Sequence, residues 1–244
     1  MTVKSGWIGC AALCGWLLAG QAFADCTPPA VLGDLDFSVC KDWPAYPGQS
    51  LSATARFKRA SDYVEGNSHG FYDVDVSVLQ DGRSVPLATY HQAAAFETDG
   101  VALVELALDT ARYKVAADFR AFGVRARVTN ASRLNPLEEV QLSLYVREGA
   151  TLRPVLRQLL VSQYSGEWND ICEGERSEIT RTVEVAKTSS HGYADLIVKT
   201  QQTGTSSVGD AEACEDKITH YPPVLTTLRY DGKSYVLPQG FKGL

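Results

Sequence analysis

A chain of 244 residues with 23 Lys and Arg against 29 Asp and Glu carries a formal charge of −6, and 45% of it is hydrophobic. Such a balance is a poor match for nucleic acid or anionic lipid, and the composition argues against disorder. The length suits one large β domain or two small ones.

Lys4 precedes an apolar run from Gly6 to Gly20, and Ala22-Phe-Ala24 follows before Asp25. This is the basic, apolar, A-x-A order of a secretory signal peptide over residues 1–24, implying a periplasmic mature chain. The run is too short for a confident membrane span and no other stretch approaches the length, so the mature chain is expected to have no transmembrane span. Loss of Lys4 takes the formal charge from −6 to −7. Cys10 and Cys14 leave with the leader, while Cys26, Cys40, Cys172 and Cys214 remain, an even set that reads as two disulfides. The sequence alone leaves the connectivity open; easy local closure favours Cys26 with Cys40 and Cys172 with Cys214. No C-x-x-C or H-x-x-x-H spacing supports a zinc site.

Beyond the leader, apolar residues recur at every second position, the period of half-buried strands. Such segments are Leu51–Phe57, Tyr72–Leu79, Val101–Leu108, Phe122–Val128 and Val140–Val146. Ile179–Val185, Tyr193–Lys199, Leu225–Tyr230 and Ser234–Leu237 follow. Leu152, Val155, Leu156, Leu159 and Leu160 fall at helical spacing, and Pro154 fits a first turn. Yet Arg147-Glu-Gly-Ala-Thr-Leu152 reads equally as strand, tight turn and returning strand, and the surroundings favour a hairpin running to Tyr164. The expected fold is all-β, built of blade-like antiparallel sheets in a propeller-like or β-sandwich arrangement with little helix.

Asp81-Gly82 and Asp231-Gly232 each stand between alternating segments, the signal for a type I′ hairpin with positive φ at both residues. They extend a second coincidence. Ser68-His-Gly-Phe-Tyr-Asp73 and Ser190-His-Gly-Tyr-Ala-Asp195 share their first three residues and the Asp, and each is followed by an Asp-Gly-basic-Ser segment. The common order points to duplication: a first β repeat over 25–146 and a second over 147–244. His69, Asp73, His191 and Asp195 could together hold a metal or polarise a water. The better reading is a structural turn, in which glycine supplies conformational freedom and aspartate accepts loop amides.

Gly192-Tyr-Ala-Asp195-Leu-Ile-Val198, followed by Leu228-Arg-Tyr-Asp-Gly-Lys-Ser-Tyr235, resembles the G-x-x-D-L-x-V … Y-D-G-x-x-Y pattern of FG-GAP-type propeller blades. It is also similar to segments of periplasmic inhibitors of lysozyme-like hydrolases, including immunity proteins against secreted toxins. The calcium that the propeller resemblance implies would need an acidic D-x-D-G-D-G loop, and Lys187-Thr-Ser-Ser-His191 stands in its place. No cofactor is therefore expected.

No nucleophile, base and orienting group can be assembled from the sequence. Glu138-Glu139 and Glu173-Gly-Glu175 read as solvated turns rather than paired glycosidase acids. Arg125 and Arg127 share one strand face, where they are solvated or read an acidic group. Gln201 to Pro223, rich in Gly, Ser, Thr and acids, reads as a long loop clipped by Cys214, with His220 and Tyr221 before Pro222-Pro223 as its recognition tip. The resulting expectation is a non-enzymatic exported binding protein, an inhibitor or immunity protein for a basic cell-wall hydrolase. An envelope-structural or carbohydrate-binding module and a metal-dependent hydrolase are the competing readings.

Overall fold

The structure, a computed structural model, describes residues 26–31, 33–61, 69–210 and 212–244. The signal-peptide expectation, and Ser68 of the first Ser-His-Gly, lie outside the described residues. Twelve strands and no helix are present among those described. They are β1 (Phe37–Asp42), β2 (Gln49–Arg59), β3 (Gly70–Gln80), β4 (Ala88–Glu97), β5 (Ala102–Asp109) and β6 (Phe122–Thr129). There follow β7 (Leu137–Glu148), β8 (Thr151–Trp168), β9 (Gly174–Ser190), β10 (Tyr193–Gly209), β11 (Cys214–His220) and β12 (Val224–Leu228). The fold is all-β, as the alternation requires.

The strands join in the order β1-β2-β3-β4-β8-β7-β6-β5. Every ladder is antiparallel except the single parallel bridge of Thr89 with Thr151, which links β4 to β8. β9 takes the distal half of β8, β10 pairs with β9, and β11 and β12 share the far edge of β10. The Lys41 ammonium donates to the Leu108 carbonyl at 3.4 Å, marking where the sheet has folded over to bring β1 against β5.

Folding over encloses a first core. Leu51, Ala53 and Ala55 of β2 and Val74, Val76 and Val78 of β3 pack with Val124, Ala126 and Val128 of β6, around Trp43 and Phe122. A second core unites Leu142, Leu144 and Val146 of β7 with Val155, Leu156 and Leu159 of β8, Leu196 and Val198 of β10, and Leu228 of β12. The β7–β8 hairpin is the shared wall, with Tyr145 and Leu152 turned to the first core. Each large apolar side chain so buried contributes about 1.5–3 kcal/mol. The boundary expected between residues 146 and 147 falls inside β7.

β8 also explains the helical spacing in its sequence. Its pairing with β7 slips where Val161, Arg157-Gln158 and Val155 are reached, so Leu144 meets Leu156 while Tyr145 meets Pro154. At the middle bulge Gln158 takes φ 51°, and its N–H donates to the Ser143 hydroxyl at 3.0 Å. Each bulge re-phases the side chains. Leu152, Val155, Leu156, Leu159 and Leu160 are consequently all buried along one bent strand.

The chain's last residues run along the free edge of β8. Tyr235 N–H donates to Val155 O at 2.7 Å, Gly243 N–H to Gln158 O at 3.0 Å, and Leu160 N–H to Phe241 O at 2.8 Å. The disulfides are Cys26–Cys40 and Cys172–Cys214, the pairing that local closure favours.

Neither Asp-Gly pair forms the type I′ turn expected of it. Positive φ occurs at Gly82 and Gly232 but not at Asp81 or Asp231. Asp81-Gly82 opens a longer connection between β3 and β4, and Asp231 caps its own turn by accepting the amides of Lys233 and Ser234. The turn with two consecutive positive φ values is His191 (50°) and Gly192 (80°), between β9 and β10.

Candidate functional site

The segment expected as a loop, Gln201–Pro223, is a sheet. β10 continues to Gly209, turns, and returns as β11, with Thr203 opposite His220 and Gly209 opposite Cys214. Alternate polar residues hid it, because both faces are solvated and no apolar period marks the strands. Together with 162–168 of β8 and 174–182 of β9 they make a four-stranded distal arm in the order β8-β9-β10-β11. No described residue of β8 beyond Val161 or of β10 beyond Val198 belongs to either core. All seven residues of β11 are exposed.

What stiffens the arm is therefore polar and covalent. Cys172–Cys214, with Cα atoms 5.6 Å apart, ties the turn between β8 and β9 to the turn between β10 and β11. Beside it the Arg176 guanidinium lies 4.5 Å over the Trp168 ring and donates to Asp216 at 2.7 Å. The buried Ser207 hydroxyl donates to the same carboxylate. The Ser207 hydrogen bond, and then Arg176, hold the Asp216 carboxyl below its ordinary range.

The tip is strongly acidic. Residues 166–178 and 207–217 carry nine carboxylates against two cations, Arg176 and Lys217, so the negative charge of the whole chain is matched by this one end. Apolar side chains are exposed beside the acids: Ile171 (67%) and Val208 (57%) at the tip, and Ile218 (58%) on β11. His220 and Tyr221 lie elsewhere than expected. They sit where the chain leaves β11 to rejoin β10 as β12; His220 Nδ1 is 3.2 Å from the Thr203 hydroxyl and the Tyr221 ring lies over Gly204. They form a junction on the edge of β10, and the tip itself is at Cys172 and Cys214.

Arg125 and Arg127 face their own acids. Arg125 donates twice to Asp109, at 2.9 and 2.7 Å, and Arg127 bridges Glu105 at 2.9 Å and Glu138 at 3.4 Å. Local compensation leaves little field for an outside anion.

His69-Gly70 and His191-Gly192 take different conformations, with positive φ only in the second pair. Gly192 is required by its positive φ, whereas Gly70 starts β3 where a Cβ would collide with the Lys58 carbonyl. His191 Nδ1–H donates to Tyr230 O at 2.8 Å, fastening its turn to the Asp231-Gly232 turn; His69 lies 4.0 Å from Glu97. Asp73 accepts from Lys58 at 2.5 Å and from Ala94 N–H at 2.9 Å, which lower its pKa. Asp195 accepts from the Thr188 hydroxyl at 2.7 Å and from Ser190, and its pKa is lowered likewise. Among the described residues no group of three or more His, Cys, Asp or Glu is placed to hold a metal ion, and no helix is long and apolar enough to cross a membrane.

Arg153 joins elements that the sequence gives no sign of bringing together. It donates to both sides of a cleft between β8 and the last turn: to Glu148 at 2.9 and 2.7 Å, Tyr193 Oη at 2.9 Å, Tyr230 Oη at 2.5 Å and the Lys233 carbonyl at 2.8 Å. Tyr193 and Tyr230 stack beneath it at 4.3 Å. Nothing in a lone Arg within an apolar run signals this role. No family model matches the chain, and neither a curated protein nor a solved structure is significantly similar to it.

Proposed function

We propose that this chain is an exported, non-enzymatic binding protein that uses its distal arm to occlude a basic partner, as an inhibitor or immunity protein for a secreted cell-wall hydrolase. The acidic tip carries the reading: its surplus of carboxylates is clipped by Cys172–Cys214 and flanked by exposed Ile171 and Val208. An arm ordered before binding loses little entropy on docking. Its single-sign field accelerates encounter with a cationic cleft, and the exposed apolar side chains supply area once there. Two disulfides accord with an oxidising compartment.

The test is affinity capture from a periplasmic extract, followed by an activity assay on what is captured. A stoichiometric basic hydrolase is expected, slowed in proportion to added protein. A variant with Glu173, Glu175 and Glu212 changed to Lys should lose it, while folding as the parent does. Absence of any such partner, or undiminished capture by that variant, would sink the reading.

A further inference from the structure

The other end of the β7–β8 hairpin carries a second cleft, unrelated to the arm. Three turns converge there. The first is the link from β1 to β2, locked by Trp43 N–H to Gln49 O (2.9 Å), Tyr46 N–H to Trp43 O (2.9 Å) and Gln49 N–H to Tyr46 O (3.0 Å). The second is the link from β5 to β6, closed by Lys114 opposite Arg120 and by the mutual amides of Ala116 and Phe119. The third is the β7–β8 turn itself, with Gly149 at φ 63°. Between them lies a cleft of about 400 Å³, within the span of small-molecule sites.

Its lining combines aromatic faces with cations that lack an acid. Tyr46 meets Trp43 edge-on at 4.4 Å, and Phe119 stacks on Tyr193 at 6.0 Å, fixing both walls. Arg120 is half-buried and Arg147 exposed, and neither has an ion pair within 4.0 Å among the described residues, although Asp118 lines the same cleft. Arg125, Arg127 and Arg153, by contrast, all hold carboxylates. Eight buried side-chain polar atoms lack a protein partner among the described residues, and three belong to residues that line this cleft: Trp43 Nε1, Gln49 Oε1 and Arg120 Nε. Unpaired buried groups are few in native proteins, because each costs stability. Three gathered at one cleft mark a place prepared for a polar guest.

We propose that this cleft binds a carboxylate-bearing sugar. The guanidiniums of Arg120 and Arg147 take the carboxylate, which matches their forked donors. The aromatic walls take the apolar face of the ring, and the buried indole donor and amide acceptor suit hydroxyls, which both give and accept. A neutral sugar leaves the cations unanswered, and a bare inorganic anion leaves the aromatic walls and the amide unused.

The experiment titrates the full chain with glucuronate, galacturonate and N-acetylmuramate, with glucose and inorganic phosphate as controls, and follows the indole N–H resonance of Trp43. A saturable shift is expected with at least one of the three acids, with glucose and phosphate weaker by about tenfold or more. Arg120→Met and, separately, the exposed Arg147→Met should each weaken the acid by a similar factor while the rest of the amide spectrum stays as in the parent. The arm variant with three lysines should bind the sugar unchanged, so failure of the arm reading and of this one are distinguishable. No saturable shift with any of the acids, equal binding of glucose or phosphate, or unchanged affinity in both Arg variants would overturn the assignment.

Discussion

Asp73 on β3 and Asp195 on β10 each stand opposite a three-residue bulge of the neighbouring strand. Tyr72 and Val74 pair with Phe96 and Gln92, which leaves residues 93–95 facing Asp73. Ala194 and Leu196 pair with Ser189 and Val185, which leaves residues 186–188 facing Asp195. In each case the carboxylate takes a donor from the bulge, Ala94 N–H in one and the Thr188 hydroxyl in the other. The aspartates are bulge clamps, which gives a reason for their presence in both halves without any metal.

Replacing either aspartate with Ala should therefore destabilise the fold by about 1–3 kcal/mol through unpaired bulge donors. Urea denaturation read by circular dichroism measures this. A change below a few tenths of a kcal/mol in both variants would contradict the clamp.

Acid should weaken the same clamps. Both carboxyls are held below their ordinary range, Asp73 mainly by Lys58 and Asp195 mainly by Thr188. Where the unfolded chain binds more protons, stability rises with pH. Their contribution is thus complete above the unfolded aspartate value of about 3.9 and is lost as pH falls through the lower folded values. Asn at both positions should flatten the slope of unfolding free energy against pH below about 4, and an unchanged slope would count against it.

Serine at both Cys172 and Cys214 should cost about 2–4 kcal/mol on the chain-entropy account, with damage confined to the arm. Amide exchange would accelerate at 203–209 and 214–220, while Leu142, Leu144, Leu156 and Leu159 in the second core keep their protection. Uniform acceleration would mean that arm and core open together.

Arg153→Met removes the donors that join Glu148, Tyr193, Tyr230 and Lys233. The Glu148 hydrogen bond foremost, offset in part by burial, raises the pKa of this guanidinium. A loss of about 2–3 kcal/mol is expected, seen as a fall in Tm on the order of 5–10 °C. Arg153→Lys should recover only a small part of it, since a single ammonium cannot span four partners.

The core strands were legible because one face of each is apolar: Leu51, Ala53 and Ala55 alternate cleanly, as do Val124, Ala126 and Val128. β8 was ambiguous because its bulges impose a helix-like spacing on buried leucines. β11 was invisible for the opposite reason, since Cys214–His220 is exposed on every residue and so has no apolar period to read. The local disulfides could be anticipated from closure. The cleft around Trp43 and Arg120 could not, because its residues come from turns separated by whole strands and meet only when the sheet folds over.

The segment that seals β8 also dictates an order of assembly. Leu228, Tyr230 and Tyr235 are buried in the second core, and Phe241 and Gly243 pair with the strand edge beyond it. A chain emerging from its N-terminal end can close the first core early, but the central hairpin keeps part of its apolar face wet and its edge bare until residues 228–243 have been delivered. During that interval the edge of β8 is open to wrong partners, other copies of the same hairpin among them.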